Sequence, residues 1–325
     1  MKKLHRKTSF FVFICLLFGL LGGRYIWMKR GIPFVSRREQ WTIGIYRSDS
    51  PFHFNKLQGW INPLFRAEDV TDVAAKFVAD PFLVKEGKTW NLFFEVYNND
   101  TKQGDLAVAT SQNTWVWKYK KVIIDEPFHL SYPYVFKADD GYYLIPESFE
   151  ANSIRLYKAD DFPTKWSFVK TLVEGRDYVD NSIVYYKGKW WLFSSVTSND
   201  KLYLHYADTL TGPWKEHPLS PIVSGNVHKS RPSGRLLVYN GKLYRFTMDV
   251  DPPVGTHRVM AYEITDITPD SYSEQLEQEG PVIMASGSGW NGQAMHQLDP
   301  EQIDSDSWIA SVDGFGKYWI FGWKY

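Results

Sequence analysis

Four carboxylates stand where β-hairpins would bring them to a common end. Asp80 heads the run Ala79-Asp80-Pro81-Phe82, and Glu95 ends the run Leu92-Phe93-Phe94-Glu95, with Glu86-Gly87-Lys88 between them. Glycine at the turn and aromatic residues on both arms read as a hairpin. Antiparallel pairing about that turn places Asp80 beside Glu95. Glu147 closes a second run of this kind, and Asp180 opens a third. Like charges held that close shift one another's pKa, and such pairs concentrate at functional sites. Glycosidic cleavage uses this chemistry. One carboxylic acid protonates the leaving oxygen, and a second carboxylate activates water or attacks carbon. Asp80 is the candidate base and Glu147 or Glu95 the candidate acid, with Asp180 and Arg231 positioning and tuning them. Ion-pair networks also gather charge, so each of these residues has a purely structural reading too.

Bringing these groups together takes a repeated element. Gly87, Gly141, Gly188 and Gly241 recur at intervals of roughly 50 residues, each between two aromatic-rich strand patterns. The units run Asp80–Lys120, Ser131–Val169, Asp180–Glu216 and Arg231–Ser273. Each continues into a third strand: Leu106–Thr110, Ile154–Ala159, Leu202–Ala207 and Val259–Ile264. Three then show a late tryptophan, Trp117, Trp166 or Trp214. Four strands per unit at this period predict a propeller. A fifth unit is assembled from Gly289-Trp290-Asn291 through His296, from Trp308–Asp313 and from Tyr318–Trp323, with Trp41–Tyr46 as the closing strand. The expected fold is all-β, a five-bladed β-propeller with four-stranded blades over residues 41–325. A β-sandwich with coincidental spacing is the alternative.

In a propeller the innermost strand of every blade lines the axis, so the open hairpin ends share one funnel. The second unit brings Tyr132 there, with His129 just before it. The third adds Asn181 beside Asp180, the fourth adds Arg231 and Asp249, and the late segment adds Trp290, Asn291 and His296. Arg231, His129, Tyr132, Asp249, Trp290, Asn291 and His296 are the candidate substrate-binding groups. His129 and His296 are also the pair that could ligate an axial metal ion. No other cofactor is expected. There is no HExxH and no Ser/His/Asp order, and Ser286-Gly287-Ser288-Gly289 lacks the strand–helix setting of a phosphate cradle.

Composition narrows the classes. Lys+Arg and Asp+Glu each total 37 of 325 residues, so the basic surplus of a nucleic-acid binder is missing. Aromatic residues make up 17%, which suits a β-rich core and leaves a few rings for stacking on sugar faces. Cys15 is the sole cysteine, so the rest of the chain can form no disulfide or thiolate metal site. Basic Lys2, Lys3, Arg6 and Lys7 precede an apolar run from Phe10 to Gly23, which reaches spanning length only if extended past Arg24 to Met28. No small-residue cleavage site follows. Residues 1–30 are therefore expected to be a signal anchor or signal peptide, and 31–40 a linker, with the propeller exported. Lys29, Arg30, Arg37 and Arg38 follow the segment and leave a cytoplasmic-facing body as the alternative. The expected partners are a glycan or glycolipid headgroup, and the membrane through the N-terminal segment.

Several motifs carry a family resemblance. They are Phe77-Val78-Ala79-Asp80-Pro81-Phe82, Phe93-Phe94-Glu95-Val96, His129-Leu130-Ser131-Tyr132-Pro133-Tyr134 and Ile145-Pro146-Glu147-Ser148. Phe162-Pro163-Thr164-Lys165-Trp166, Gly212-Pro213-Trp214-Lys215-Glu216-His217, Arg231-Pro232-Ser233-Gly234-Arg235 and Val312-Asp313-Gly314 extend them. Together they resemble the N-terminal propeller domain of plant glucosamine inositolphosphorylceramide transferases and its stand-alone bacterial relatives. The resemblance implies the propeller and a carbohydrate or glycolipid context. It implies no transferase activity, because glycosyl transfer in the plant protein belongs to a separate C-terminal domain. More remotely, the chain is similar to glycoside hydrolases of the family 43 kind, which use an Asp base, an Asp modulator and a Glu acid on successive blades. Asp80 matches that pattern. Ser131-Tyr132-Pro133 stands where the second acid would be, Asp180 where the Glu would be, and Thr247-Met248-Asp249 where the relatives tend to show a Gln-Asp pair.

Overall fold

A computed structural model describes residues 19, 35–54, 62–138, 140–250 and 258–321. The chain divides into two compact units, Gln40–Gly316 and the terminal pieces Met1–Glu39 with Lys317–Tyr325. In the terminal unit Lys317 pairs with Glu39 at 3.5 Å, and Arg37 lies over the Trp319 ring. Most of the expected anchor lies outside the described residues. Among the described residues no helix is long and apolar enough to cross a membrane. The expected linker is already strand from Val35 onward.

The larger unit is a ring of five antiparallel sheets. Blade one is Ala75–Glu86, Thr89–Asn98, Gln103–Ser111 and Trp117–Ile124. Blade two is Ser131–Ala138, Gly141–Glu147, Ser153–Asp161 and Lys165–Glu174. Blade three is Tyr178–Tyr186, Lys189–Val196 and Lys201–Ala207, with its outer edge split into Lys215–Glu216 and Val223–Ser224. Blade four centres on Lys242–Asp249 and Arg258–Ile267. Its inner strand is split into Arg231–Pro232 and Leu237–Tyr239, and its outer strand into Tyr272–Leu276 and Ile283–Met284.

Blade five differs from the expectation. Its inner strand is Leu298–Asp304, followed outward by Ser307–Phe321 and then by the N-terminal strand Val35–Ser48. Trp308–Asp313 and the described part of Tyr318–Trp323 are one continuous strand, and Gly289–Asn291 is a 3-10 turn. The fourth position is a single bridge, where Ile43 and Phe65 exchange backbone hydrogen bonds. Trp41–Tyr46 does close the ring, so the first and last described strands share one blade.

The periodic residues have physical reasons. All four turn glycines hold positive φ, at 56°, 144°, 79° and 77°, where a Cβ would be strained. Each late tryptophan donates its indole N–H to a carbonyl just upstream: Trp117 to Thr114, Trp166 to Pro163, and Trp214 to Leu210. Their rings pack into the apolar clusters between blades. Trp166 meets Phe93 of blade one edge-on at 5.9 Å. These partly buried tryptophans cover the core, and Trp166 fastens blade two to blade one.

Candidate functional site

Blades one, two and three carry the same irregularity on their innermost strands. Register passes from Ala79↔Glu95 to Phe82↔Phe93, from Ser131↔Glu147 to Tyr134↔Ile145, and from Val179↔Ser195 to Ser182↔Phe193. Each shift inserts one extra residue into the first strand, a β-bulge. So Ala79, and not Asp80, stands opposite Glu95. The residue after each last pair is Asp80, Tyr132 or Asp180, with φ of 51°, 47° and 50°. Side-chain-bearing residues in that region cost about 1–3 kcal/mol each and cluster at functional sites. The bulge frees a backbone N–H from the ladder and turns it to the preceding blade. Asp80 donates to Asp313 Oδ2 at 3.1 Å, Tyr132 to Asp80 Oδ2 at 3.3 Å, and Asp180 to Glu147 Oε2 at 3.1 Å.

These links gather the acids around two cations. Arg231 donates to Asp180 Oδ2 at 2.5 Å, to Asn199 Oδ1 at 2.8 Å and to Glu147 Oε2 at 3.4 Å. His296 places Nδ1 2.7 Å from Asp313 Oδ2 and Nε2 3.5 Å from Asp80 Oδ1, while its ring stacks on Trp41 at 4.0 Å. Burial alone would strip the His296 proton, but Asp313 outweighs it with charge and hydrogen bond, and Asp80 adds to this. The result is a pKa of about 9. Asp80 is pushed up to about 7, chiefly by burial, against the pull of His296. Glu95 is raised well above the usual range by burial and then by the like charges of Asp80 and Glu147. Glu147 is raised by burial and by Asp180, with Arg231 opposing. His129 accepts the Gly104 N–H at Nδ1 (2.9 Å), which leaves the neutral ring's proton on Nε2, 3.7 Å from Glu95 Oε1. Burial lowers its pKa and keeps it neutral. Arg231, His129 and His296 retain 23%, 19% and 17% side-chain exposure, so they form the mouth above nearly buried acids.

Asp80, Glu95, Glu147, Asp180, Arg231, His129 and His296 thus share one region at the axis. The other predicted residues have different settings. Tyr132 is wholly buried, and its hydroxyl meets Ser182 Oγ and Gly234 O, both at 2.9 Å, so it ties blades together beneath the mouth. Asp249 is committed to Arg258 and His228, each at 2.8 Å. Trp290 is 4% exposed and fills a slot that exists because residues 44 and 314 are glycines. A Cβ at either would stand within 2.7 Å of its ring. Asn291 is buried beside it and donates to Tyr46 Oη at 2.9 Å. Both belong to blade-five packing.

Of the two histidines expected to ligate an axial metal ion, His129 faces Glu95 at 3.7 Å. His296 stands instead with Asp80 and Asp313, whose ligand atoms all lie within 4.8 Å of one another. Both ring nitrogens of His296 face carboxylates, and one histidine with two aspartates is a donor set that could hold a metal ion. Asp313, Trp41 and Asn199 belong to the site although none was a candidate. Asp313 ends an apolar run, Trp308-Ile309-Ala310-Ser311-Val312, just as Glu95 and Glu147 end theirs, and that pattern was the available signal.

Fold and site together define a five-bladed propeller with a strained carboxylate cluster on its axis. Solved propellers of similar fold include the catalytic domain of a Coprinopsis cinerea GH62 α-L-arabinofuranosidase. It is 13% identical with a TM-score of 0.57, covering 86% of this chain and 97% of that one. Zg3597, a family 117 glycoside hydrolase from Zobellia galactanivorans, is also 13% identical, with a TM-score of 0.51 and coverage of 85% and 90%. Residues 36–315 match the family described as glucosamine inositolphosphorylceramide transferase 1, N-terminal, and the chain belongs to that family. Glucosamine inositolphosphorylceramide transferase 1 of Oryza sativa subsp. indica is 33% identical over 340 residues, 94% of this chain and 45% of the relative. The Arabidopsis thaliana protein of that name is 33% identical over 301 residues, 84% and 39%. The chain spans less than half the length of these relatives.

Proposed function

We propose that the propeller is carbohydrate-active, that its axial mouth holds a glycan or glycolipid headgroup, and that the carboxylates there hydrolyse a glycosidic bond. The division among the acids carries this reading. Burial keeps Glu95 protonated, while Asp80, facing His296, gives up its proton near neutral pH. Glycoside hydrolysis needs that split between acid and base. Glu95 is the acid, Asp80 the base, and Arg231 with Asp180 and Glu147 positions the sugar.

A second reading is binding without cleavage. It draws on Glu147 and Asp180 both being held by Arg231, which suits a rigid frame for hydroxyl groups. A glycan-array screen of the full chain, with product analysis on every hit, tests both. Asp80→Asn and Glu95→Gln should each lower turnover by about 10²–10⁴-fold while the chain stays folded. Bound glycan without product, at unchanged affinity in both variants, would replace the first reading with the second. Absence of any glycan binding would overturn both. The same proposal keeps the N-terminal segment as a membrane anchor with the propeller exported, supported by its basic head and apolar run. Protease protection in intact cells should distinguish that orientation from a cytoplasmic one.

A further inference from the structure

The hairpin-turn face, opposite the acid cluster, carries one device in blades one and two and departs from it in blade three. In blade one Lys85 pairs across the hairpin with Trp90 and lays its ammonium over the ring at 5.2 Å. In blade two Lys137 does the same over Tyr142 at 5.6 Å. Both rings are nearly buried. In blade three the lysine position is Tyr185, paired with Trp190. Two rings therefore stand together, 5.3 Å between centroids and tilted by 55°. Tyr185 is 55% exposed and Trp190 half-buried. They form one side of a groove of about 520 Å³ between blades two and three, whose other walls include Lys137, Asp140, Tyr143 and Asp208.

The chemistry of those walls is specific. Asp140 is held by Lys158 at 2.6 Å and by the Tyr143 hydroxyl at 2.9 Å, and Asp208 by Lys189 at 2.5 Å. Each carboxylate is thus charge-balanced yet well exposed, at 64% and 80% of its side chain. Exposed rings offer flat apolar faces, and paired carboxylates accept hydrogen bonds from hydroxyl groups without calling for a further cation. We infer that this groove is a second carbohydrate site that takes a short neutral oligosaccharide on Tyr185 and Trp190, with Asp140 and Asp208 accepting from its hydroxyls. Tyr185 lies five positions along its strand from Asp180, about 17 Å away at strand rise, so one sugar ring cannot touch both sites.

Tryptophan-fluorescence titration of the full chain with tetrasaccharides of β-linked glucose, xylose, galactose and N-acetylglucosamine tests this. Tyr185→Lys rebuilds the arrangement of blades one and two and should fold. It should weaken binding of whichever tetrasaccharide the parent holds by at least about tenfold, and the exposed Asp208→Ala should weaken it too. Asp80→Asn should leave this binding in place, which separates failure here from failure at the axis. The inference falls if no tetrasaccharide binds, if Tyr185→Lys binds as well as the parent, or if the face captures a protein and no sugar.

Discussion

Arg231 and Arg235 sit one turn of chain apart on the inner edge of blade four, yet they do different work. Arg231 touches only side chains among its hydrogen bonds described above. Arg235 reads backbone. It donates to Leu83 O of blade one at 3.0 Å, to Val135 O of blade two at 2.9 Å, and to both oxygens of Asp299 of blade five. Asp299 in turn accepts the Leu83 N–H at 2.6 Å. Gly234 makes that approach possible, since a Cβ there would stand 1.8 Å from Leu298 O. A guanidinium bound to the main chain of several blades fixes the ring. One bound only to side chains, Asp180, Glu147 and Asn199, beside bulges in a strained conformation, leaves those acids able to exchange partners and protons. The contrast separates a pin from a site on one axis.

Removing each arginine is the strongest way to break that contrast. Arg235→Met leaves Asp299 buried without its cation and two carbonyls without donors, and should cost about 3–5 kcal/mol of unfolding free energy in urea. Arg231→Met should cost about half of that or less, because Glu147 keeps the Asp180 N–H and Arg231 is 23% exposed against 16% for Arg235. Equal losses would erase the distinction between pin and site.

An alkaline titration sharpens it. His296 has a folded pKa of about 9 against an ordinary 6.5. A base raised on folding lends stability that is complete below about 6.5 and is lost as pH climbs through about 9. Unfolding free energy should therefore fall by about 2 kcal/mol between pH 7 and pH 10. His296→Asn should flatten that fall, whereas Arg235 stays charged throughout the window. An unchanged slope in His296→Asn would show that the charge on His296 is not what holds Asp80 and Asp313 together.

What could be read from sequence follows from which forces leave a pattern. Turn glycines mark four blades and late tryptophans three of them, because φ and packing demand those residue types. The inner strand of blade five left no such mark. Asp299, Pro300, Glu301 and Gln302 look like a polar loop, because Asp299 and Glu301 face Arg235 instead of an apolar core. Glu95, Glu147, Asp180 and Arg231 were legible as charges at hairpin ends. The bulge was not, since Asp80, Tyr132 and Asp180 hold left-handed backbone without glycine, and Arg235 entered only within a motif. Trp290 misled because an aromatic near a predicted rim reads as a sugar platform. Its real setting depends on Gly44 and Gly314, far away in sequence.

The smallest effect expected is the most telling about purpose. A residue kept for stability should lower stability when neutralised, and one kept for chemistry need not. Glu95 is buried, and its neighbours Asp80 and Glu147 repel its charged form, so holding it protonated above its ordinary pKa costs folding free energy. Glu95→Gln keeps the shape, removes that titration, and should leave stability unchanged or raise it by up to about 1 kcal/mol near pH 8. Asp299→Asn, the matching change at the pin, should lower stability by about 1–3 kcal/mol, because a charged partner of Arg235 is lost. Denaturation midpoints of the two variants, measured side by side at one pH, decide between the roles. A loss in Glu95→Gln as large as that in Asp299→Asn would make the axial acids a second pin, and the split in proton affinity at the mouth would then be a by-product of ring closure.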